Sequence, residues 1–337
     1  MKAIGFKKSL PISNTNSFIL FDSEKPIATD RDLLVKVEAI SVNPVDFKVR
    51  QNSAKEIELE TPKIIGWDAV GIVEDIGSHV SLFKKGDKIF YAGDLTRPGC
   101  NVEYQLVDER IVGLAPKSIT SAEAAALPLT ALTAWEILFD RIRISADKDK
   151  GKGILIIGGA GGVGSIAIQL AKKVAGLTVI ATASRTETKQ WCKDLGADYV
   201  VNHVDLVNEM AQIGIKQVDF ILDFVDANSY WDVMAELIKP QGHIASITGS
   251  ATPIALNKLK NKSVSFSWEL MFTRSMFNTE DMIEQHVILN KISELIDKKE
   301  IRSTLNQTLK GFTVENLKQA HTMLESCKAI GKIVIEY

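Results

Sequence analysis

The stretch GILIIGGAGGVGSIAIQLAKK, residues 153–173, constrains this chain more than any other. An apolar, β-branched run of the kind found in buried strands enters a cluster of glycines and leaves directly in a helical pattern. Gly159, Gly161 and Gly164 are spaced G-x-G-x-x-G. In such a turn the first glycine permits a tight bend, the second lets the backbone approach a pyrophosphate, and the third lets helix and strand pack closely. The helix N-terminus adds unpaired N–H groups and the positive end of its dipole. With strand before and helix after, Gly159, Ala160, Gly161, Gly162, Val163 and Gly164 are expected to cradle the pyrophosphate of a dinucleotide.

Downstream of the glycines, strand and helix alternate. Strand TVIATA, helix ETKQWCKDLG, strands DYVVN and DFILDFV, helix SYWDVMAELI and strand GHIASI succeed one another. That order predicts an α/β fold with a doubly wound parallel sheet, a Rossmann domain over residues 127–272. Residues 1–126 read differently, as short β-branched runs (LLVKVEAISV, DAVGIVEDIG, DKIFYAG) cut by glycine and turn residues. A tail with an amphipathic stretch at 279–300, a second helix around VENLKQAHTMLES and a last strand KIVIEY needs a sheet to join. The N-terminal β-rich domain could supply it, so 273–337 is expected to complete 1–126. A chain of 337 residues is long enough for two such domains.

The residue at the end of the second parallel strand sets the dinucleotide. An acid there would take the ribose hydroxyls of NAD, a basic residue a 2′-phosphate. The chain offers Ser184 and Arg185, with Lys189 one helical turn on, and no acid at the strand end. A guanidinium and a hydroxyl can bind a phosphate, so NADPH (NADP+) is the expected cofactor; the alternative reading makes Arg185 and Lys189 solvated residues at a helix start.

Other classes of partner are disfavoured. Forty basic against 42 acidic residues give a formal charge of −2, no field to gather nucleic acid or an anionic membrane surface. No window approaches the ~20 apolar residues of a membrane span and the N-terminus lacks a secretory pattern, so a cytoplasmic enzyme is expected. Three scattered cysteines, Cys100, Cys192 and Cys327, form neither a disulfide framework nor a CxxC metal pattern. The five histidines, His203 among them, show no metal-like spacing.

Together with GWDAVGIVEDIG, AAALPLTALTAWE, SVNPVDFKVR and the ending GKIVIEY, the GGAGGVG turn makes the chain resemble the medium-chain dehydrogenase/reductase superfamily over essentially its whole length. It is most similar to the quinone-oxidoreductase branch and the zinc-type alcohol dehydrogenase-like proteins near it. The resemblance implies a GroES-like catalytic domain beside the Rossmann domain, an active-site cleft between them and a homodimer, here through strand 263–272. Zinc alcohol dehydrogenases hold their metal with a Cys, a His-Glu pair and a further Cys or Asp. At the matching places this chain has Asn43, Trp67 followed by Asp68, and Leu129, while the structural-zinc stretch keeps only Cys100. Zinc needs three or four N, S or O ligands converging at ~2.0–2.3 Å, so no metal is expected.

For chemistry the resemblance points to Asn43 and Asp46 of N-P-V-D: Asn43 to line the nicotinamide end and donate to a substrate oxygen, Asp46 to orient. Lys48 stands where the family often has a proton-donating Tyr, and is either a donor or an exposed lysine. Trp67 is a wall of the cleft or a core residue, and Tyr91 a further candidate donor, with Tyr104 read as packing. Thr133, with Thr130 behind it, matches the threonine that contacts the nicotinamide or its ribose, and Val225, Ile247 and Thr248 match the loops bordering it. Without a Lewis acid an isolated ketone is hard to reduce. A quinone or enone accepts hydride more readily, because the developing charge spreads to an oxygen that hydrogen bonds can stabilise. The expected function is therefore zinc-independent, NADPH-dependent reduction of a quinone or α,β-unsaturated carbonyl. The alternatives are an alkenal or enoyl reductase and a non-catalytic NADPH-binding sensor, with a zinc alcohol dehydrogenase disfavoured.

Overall fold

A computed structural model describes all 337 residues. The chain forms two compact units, Met1–Leu132 with Phe272–Tyr337, and Thr133–Met271. The second unit begins at Thr133, inside helix Pro128–Trp135, six residues beyond the start at 127 expected from the sequence. No helix is long and apolar enough to cross a membrane.

The first unit is built on a seven-stranded sheet. Strands Leu305–Lys310, Lys332–Glu336, Asp32–Ser41, Ala69–Ile76, Lys88–Tyr91 and Val112–Leu114 run across it in that order, and Tyr104–Asp108 pairs with Asp32–Ser41. The last strand does join the N-terminal β-rich domain: Val334 lies opposite Ser41 and Ile335 opposite Ile40, antiparallel. Side chains alternate across the sheet, and Leu33, Val35, Ala69, Ile89 and Val334 are fully buried. Directly after strand Asp32–Ser41 the chain turns into a helix, Pro44–Asn52, which no apolar periodicity in the sequence announces. Its start is encoded locally by Asn43 at the N-cap and Pro44 in the first turn, where its fixed φ and missing N–H cost nothing.

The second unit is a six-stranded, wholly parallel sheet. Its order is Tyr199–Val201, Thr178–Thr182, Gly153–Ile157, Val218–Asp223, Ile238–Ser246, Ser265–Trp268. This is the doubly wound order expected of a Rossmann fold, and Leu155, Ile156, Ile180, Ile221 and Ile244 bury its centre. Two expectations need correction. Between strands 199–201 and 218–223 lies a helix, Leu206–Gln212, missed because its only deep anchors are Leu206 and Met210, spaced i and i+4. The strand expected over 263–272 is confined to Ser265–Trp268; beyond it the buried Glu269 carboxylate accepts from Arg141 Nε at 2.6 Å.

Candidate active site

In the second unit, strand Gly153–Ile157 ends at Gly158, whose φ of +87° makes the tight turn. That corrects the expectation, which gave this role to Gly159. Gly159 is instead a close-packing position: a Cβ there would lie 2.8 Å from Ala181 Cβ and 3.1 Å from Cys192 Sγ. Gly164 is tighter still, since its Cβ would meet the Gly158 carbonyl oxygen at 2.2 Å. At the exposed Gly161, by contrast, the only neighbour of a built Cβ is Gly158 O at 3.5 Å. The space over this backbone is open, and Gly161 caps the helix Gly162–Lys173, whose first N–H groups have no carbonyl one turn back. Strand, open glycine and helix start thus fit a pyrophosphate, with Ala160, Gly162 and Val163 half-buried around it.

The adjoining loops come together at the same carboxyl edge. Thr182 fastens the glycine turn to the next strand, its hydroxyl accepting from Gly158 N at 2.9 Å and its carbonyl from Gly159 N at 3.2 Å. Ser184 and Arg185 come next, both exposed, with Arg185 Nη1 3.3 Å from Glu187 Oε1 and Lys189 half-buried one turn on. Val225 packs on the glycine turn: a Cβ on Gly158 would be 2.8 Å from Val225 Cγ2. Thr248 Oγ1 accepts from Ala227 N at 3.0 Å, and Ile247 N donates to the Asp223 carbonyl. Thr133 is buried within helix Pro128–Trp135, and Thr130 spends its hydroxyl on Leu127 O.

In the first unit Asn43 and Asp68 close on a cation that sequence reasoning missed, Lys332. The antiparallel register that sets Val334 opposite Ser41 carries Lys332 to the level of Asn43. Its ammonium, 3% exposed, donates to Val42 O at 3.0 Å, to Asp68 Oδ2 at 2.9 Å and, by a very short bond, to Asn43 Oδ1. The Asp68 carboxylate is completed by Asn43 Nδ2 at 2.8 Å on Oδ2 and by Leu129 N at 2.7 Å on Oδ1. Burial pushes the Asp68 carboxyl up, while the Lys332 ammonium and the Asn43 amide pull it back.

This geometry changes the expected roles of Asn43 and Tyr91 and selects between the two readings of Lys48 and of Trp67. Asn43 directs its amide hydrogens to Trp67 O and Asp68 Oδ2, both at 2.8 Å, so the donor expected to serve a substrate oxygen is already committed. Lys48 is exposed and stands outside the cluster. Tyr91 is buried, donates to Gln105 Oε1 at 2.9 Å, and burial pushes its phenol well above the ordinary range, so it serves packing rather than proton donation. Trp67 is a core residue, edge-on to Phe272, with Nε1 donating to Asp94 O at 3.1 Å.

Asp46 has the orienting position expected of it: Oδ2 accepts from Asn43 N at 2.7 Å, holding the helix start. Its Oδ1 is buried without a partner. Burial, reinforced by the Asp68 charge and opposed by the Asn43 N–H and Lys332, pushes this carboxyl up to about 8. The folded chain therefore keeps a proton that the unfolded chain loses near pH ~4, and stability must fall as pH rises from about 4 to about 8, then level off. Asp46→Asn, which keeps the acceptor for Asn43 N, is expected to raise the urea midpoint at about pH 9 and leave it near wild type at about pH 4. An equal shift at both pH values contradicts this protonation state.

The residues present do not fit a catalytic zinc. No three His, Cys, Asp or Glu side chains converge. Asp68 already accepts from Lys332, Asn43 and Leu129, and the buried Cys100 thiol donates to Asp68 O at 3.4 Å.

Residues 29–127 match the alcohol dehydrogenase GroES-like domain and residues 162–289 the zinc-binding dehydrogenase domain. The chain belongs to the medium-chain dehydrogenase/reductase superfamily of oxidoreductases. Over 99% of its length, and 99% of the relative's, it is 47% identical to a zinc-type alcohol dehydrogenase-like protein of Staphylococcus aureus. A solved protein of Rhizobium etli CFN 42, described as a zinc-dependent alcohol dehydrogenase, is also 47% identical, with a TM-score of 0.95 over 100% of this chain and 98% of that one. The chloroplastic NADPH-dependent alkenal/one oxidoreductase of Arabidopsis thaliana is 31% identical over 92% of this chain and 73% of its own.

Proposed function

We propose that this chain transfers hydride from NADPH, without zinc, to a quinone, giving the hydroquinone, or to the β-carbon of an α,β-unsaturated carbonyl. One observation carries the reading: at the places matching the metal ligands, Asn43 and Asp68 are closed around the chain's own ammonium, Lys332. With no Lewis acid there, the acceptor must delocalise charge by itself, which a conjugated carbonyl does. The likeness to an alkenal/one oxidoreductase supports the same class.

The bound nicotinamide supplies the hydride. The chain's contribution begins at Gly161 and the first turn of helix Gly162–Lys173, which take the pyrophosphate. Ser184 and Arg185 take the 2′-phosphate, with Lys189 beside them, and Val225, Ile247, Thr248 and Thr133 border the nicotinamide end. In the first unit, Lys332, Asp68 and Asn43 hold one another in a buried polar cluster, and Asp46 fixes the helix start beside it. The exposed Trp268 and Leu270 at the edge of strand Ser265–Trp268 belong to a homodimer interface in the same reading, and the setting is the cytoplasm.

Arg185→Ala is expected to lower kcat/KM for NADPH about 10–100-fold while leaving NADH within about threefold, the loss of a charge-assisted phosphate contact. Equal loss with both cofactors removes the 2′-phosphate assignment. The reaction itself is tested with 4-deuterated NADPH and an enal: deuterium on the β-carbon of a saturated product supports conjugate reduction, whereas deuterium on the carbinol carbon of an allylic alcohol refutes it.

A further inference from the structure

At the carboxyl end of strand Val218–Asp223 an acid is fully buried, in a place where an apolar residue would end the strand without the desolvation of a charge. Asp223 Oδ1 accepts from Val225 N at 3.0 Å and Asp226 N at 3.2 Å. Its Oδ2 accepts from Ser246 Oγ at 2.8 Å and Thr248 Oγ1 at 3.0 Å. The four acceptor sites of one carboxylate are thus filled by donors from two different loops. Thr248 extends the network by accepting from Ala227 N, the first residue of helix Ala227–Leu237. Val225, held at one end, lies against Gly158 in the glycine turn.

We propose that Asp223 is the positioning residue of the cofactor site, a carboxylate clip that sets the 224–226 and 247–248 loops in register with the glycine turn. The inference rests on the dinucleotide reading of that turn and names a residue no motif points to. Ligands of parallel sheets bind beyond the carboxyl ends of the strands, and here the Asp223 side chain ties the loops at Val225 and Thr248 to one another beyond the backbone bonds Phe224 N to Ile157 O and Ile247 N to Asp223 O, with Val225 lying against Gly158. Ordering these loops before the cofactor arrives removes an entropy cost from binding. Because the clip acts on ground state and transition state alike, its loss raises the cofactor Kd and KM and leaves kcat at saturation nearly unchanged.

The test is NADPH titration by nicotinamide fluorescence, with steady-state kinetics and thermal melts, on wild type, Asp223→Leu, Asp223→Asn and Ser246→Ala. Asp223→Leu is expected to raise Kd at least about tenfold with kcat within about threefold. Asp223→Asn keeps an acceptor for both N–H groups and offers an N–H to the hydroxyls, so it should stay within about threefold of wild-type Kd. If Asp223→Leu does not fold, Ser246→Ala, which removes one hydroxyl donor from the carboxylate and no residue assigned to the cofactor, carries the test with an expected rise of about threefold or more. Wild-type affinity in Asp223→Leu, or in Ser246→Ala where Asp223→Leu does not fold, overturns the proposal while leaving the dinucleotide reading intact. A wild-type protein that binds neither NADPH nor NADH overturns that reading and the proposal with it.

Discussion

Lys332→Met is expected to lower the stability of the folded chain by about 3–5 kcal/mol, because it strands the buried Asp68 carboxylate without its cation. The loss goes beyond the ion pair. Three acceptors, Val42 O, Asn43 Oδ1 and Asp68 Oδ2, lose their shared donor at once. Lys332→Met combined with Asp68→Asn removes both charges, and the double variant should recover at least half of the loss, since replacing a buried pair by neutral groups is far less costly than breaking it. Urea midpoints of the three proteins decide the matter. A single variant within about 1 kcal/mol of wild type would mean that Asp68 is not ionised in the fold, and that the cluster is held by neutral hydrogen bonds.

Gly164→Val should abolish tight dinucleotide binding, with an affinity loss on the order of 100-fold or more. The added Cβ would stand 2.2 Å from the Gly158 carbonyl oxygen and 2.9 Å from Gly159 Cα, both backbone atoms that move only if the turn itself moves. The helix start must then separate from the strand end, taking its N–H groups away from the anion. Gly161→Ala separates two causes of the same defect. Its methyl enters open space, so the melting temperature should hold while NADPH affinity falls, because the methyl occupies volume the pyrophosphate needs. Unchanged affinity in Gly161→Ala would place the pyrophosphate elsewhere.

What was legible in the sequence was whatever the chain encodes within a few residues. The glycine spacing, the strand before it and the helix after it occupy one continuous stretch, and the downstream alternation of strand and helix implied a parallel sheet. Even there, which glycine carries the left-handed φ was not readable, because Gly158 and Gly159 are adjacent and only packing against Ala181 and Cys192 tells them apart. Helix Leu206–Gln212 was lost because two apolar contacts one turn apart make a weak periodic signal.

The centre of the first unit was illegible for a different reason. Asn43 and Lys332 are 289 positions apart and meet only through the register of the last strand, so no local pattern shows that the amide is already bonded. The motif reading assigned Asn43 a substrate contact on resemblance, whereas the geometry assigns it an internal one. Asp223 was passed over although a faint signal existed, an acid closing the otherwise apolar run DFILD at the carboxyl end of a buried strand. A carboxylate in that position needs donors, and these come from its own loop and from Ser246 and Thr248 more than 20 residues on.

The proposed metal-free hydride transfer is tested by NADPH oxidation with protein dialysed against chelator and assayed for metal. With a conjugated enone or quinone as acceptor, turnover is expected to be undiminished by chelation, unaltered by added zinc and faster with NADPH than with NADH. Turnover that vanishes on chelation and returns with stoichiometric zinc, or oxidation of a simple alcohol only when zinc is present, would contradict it.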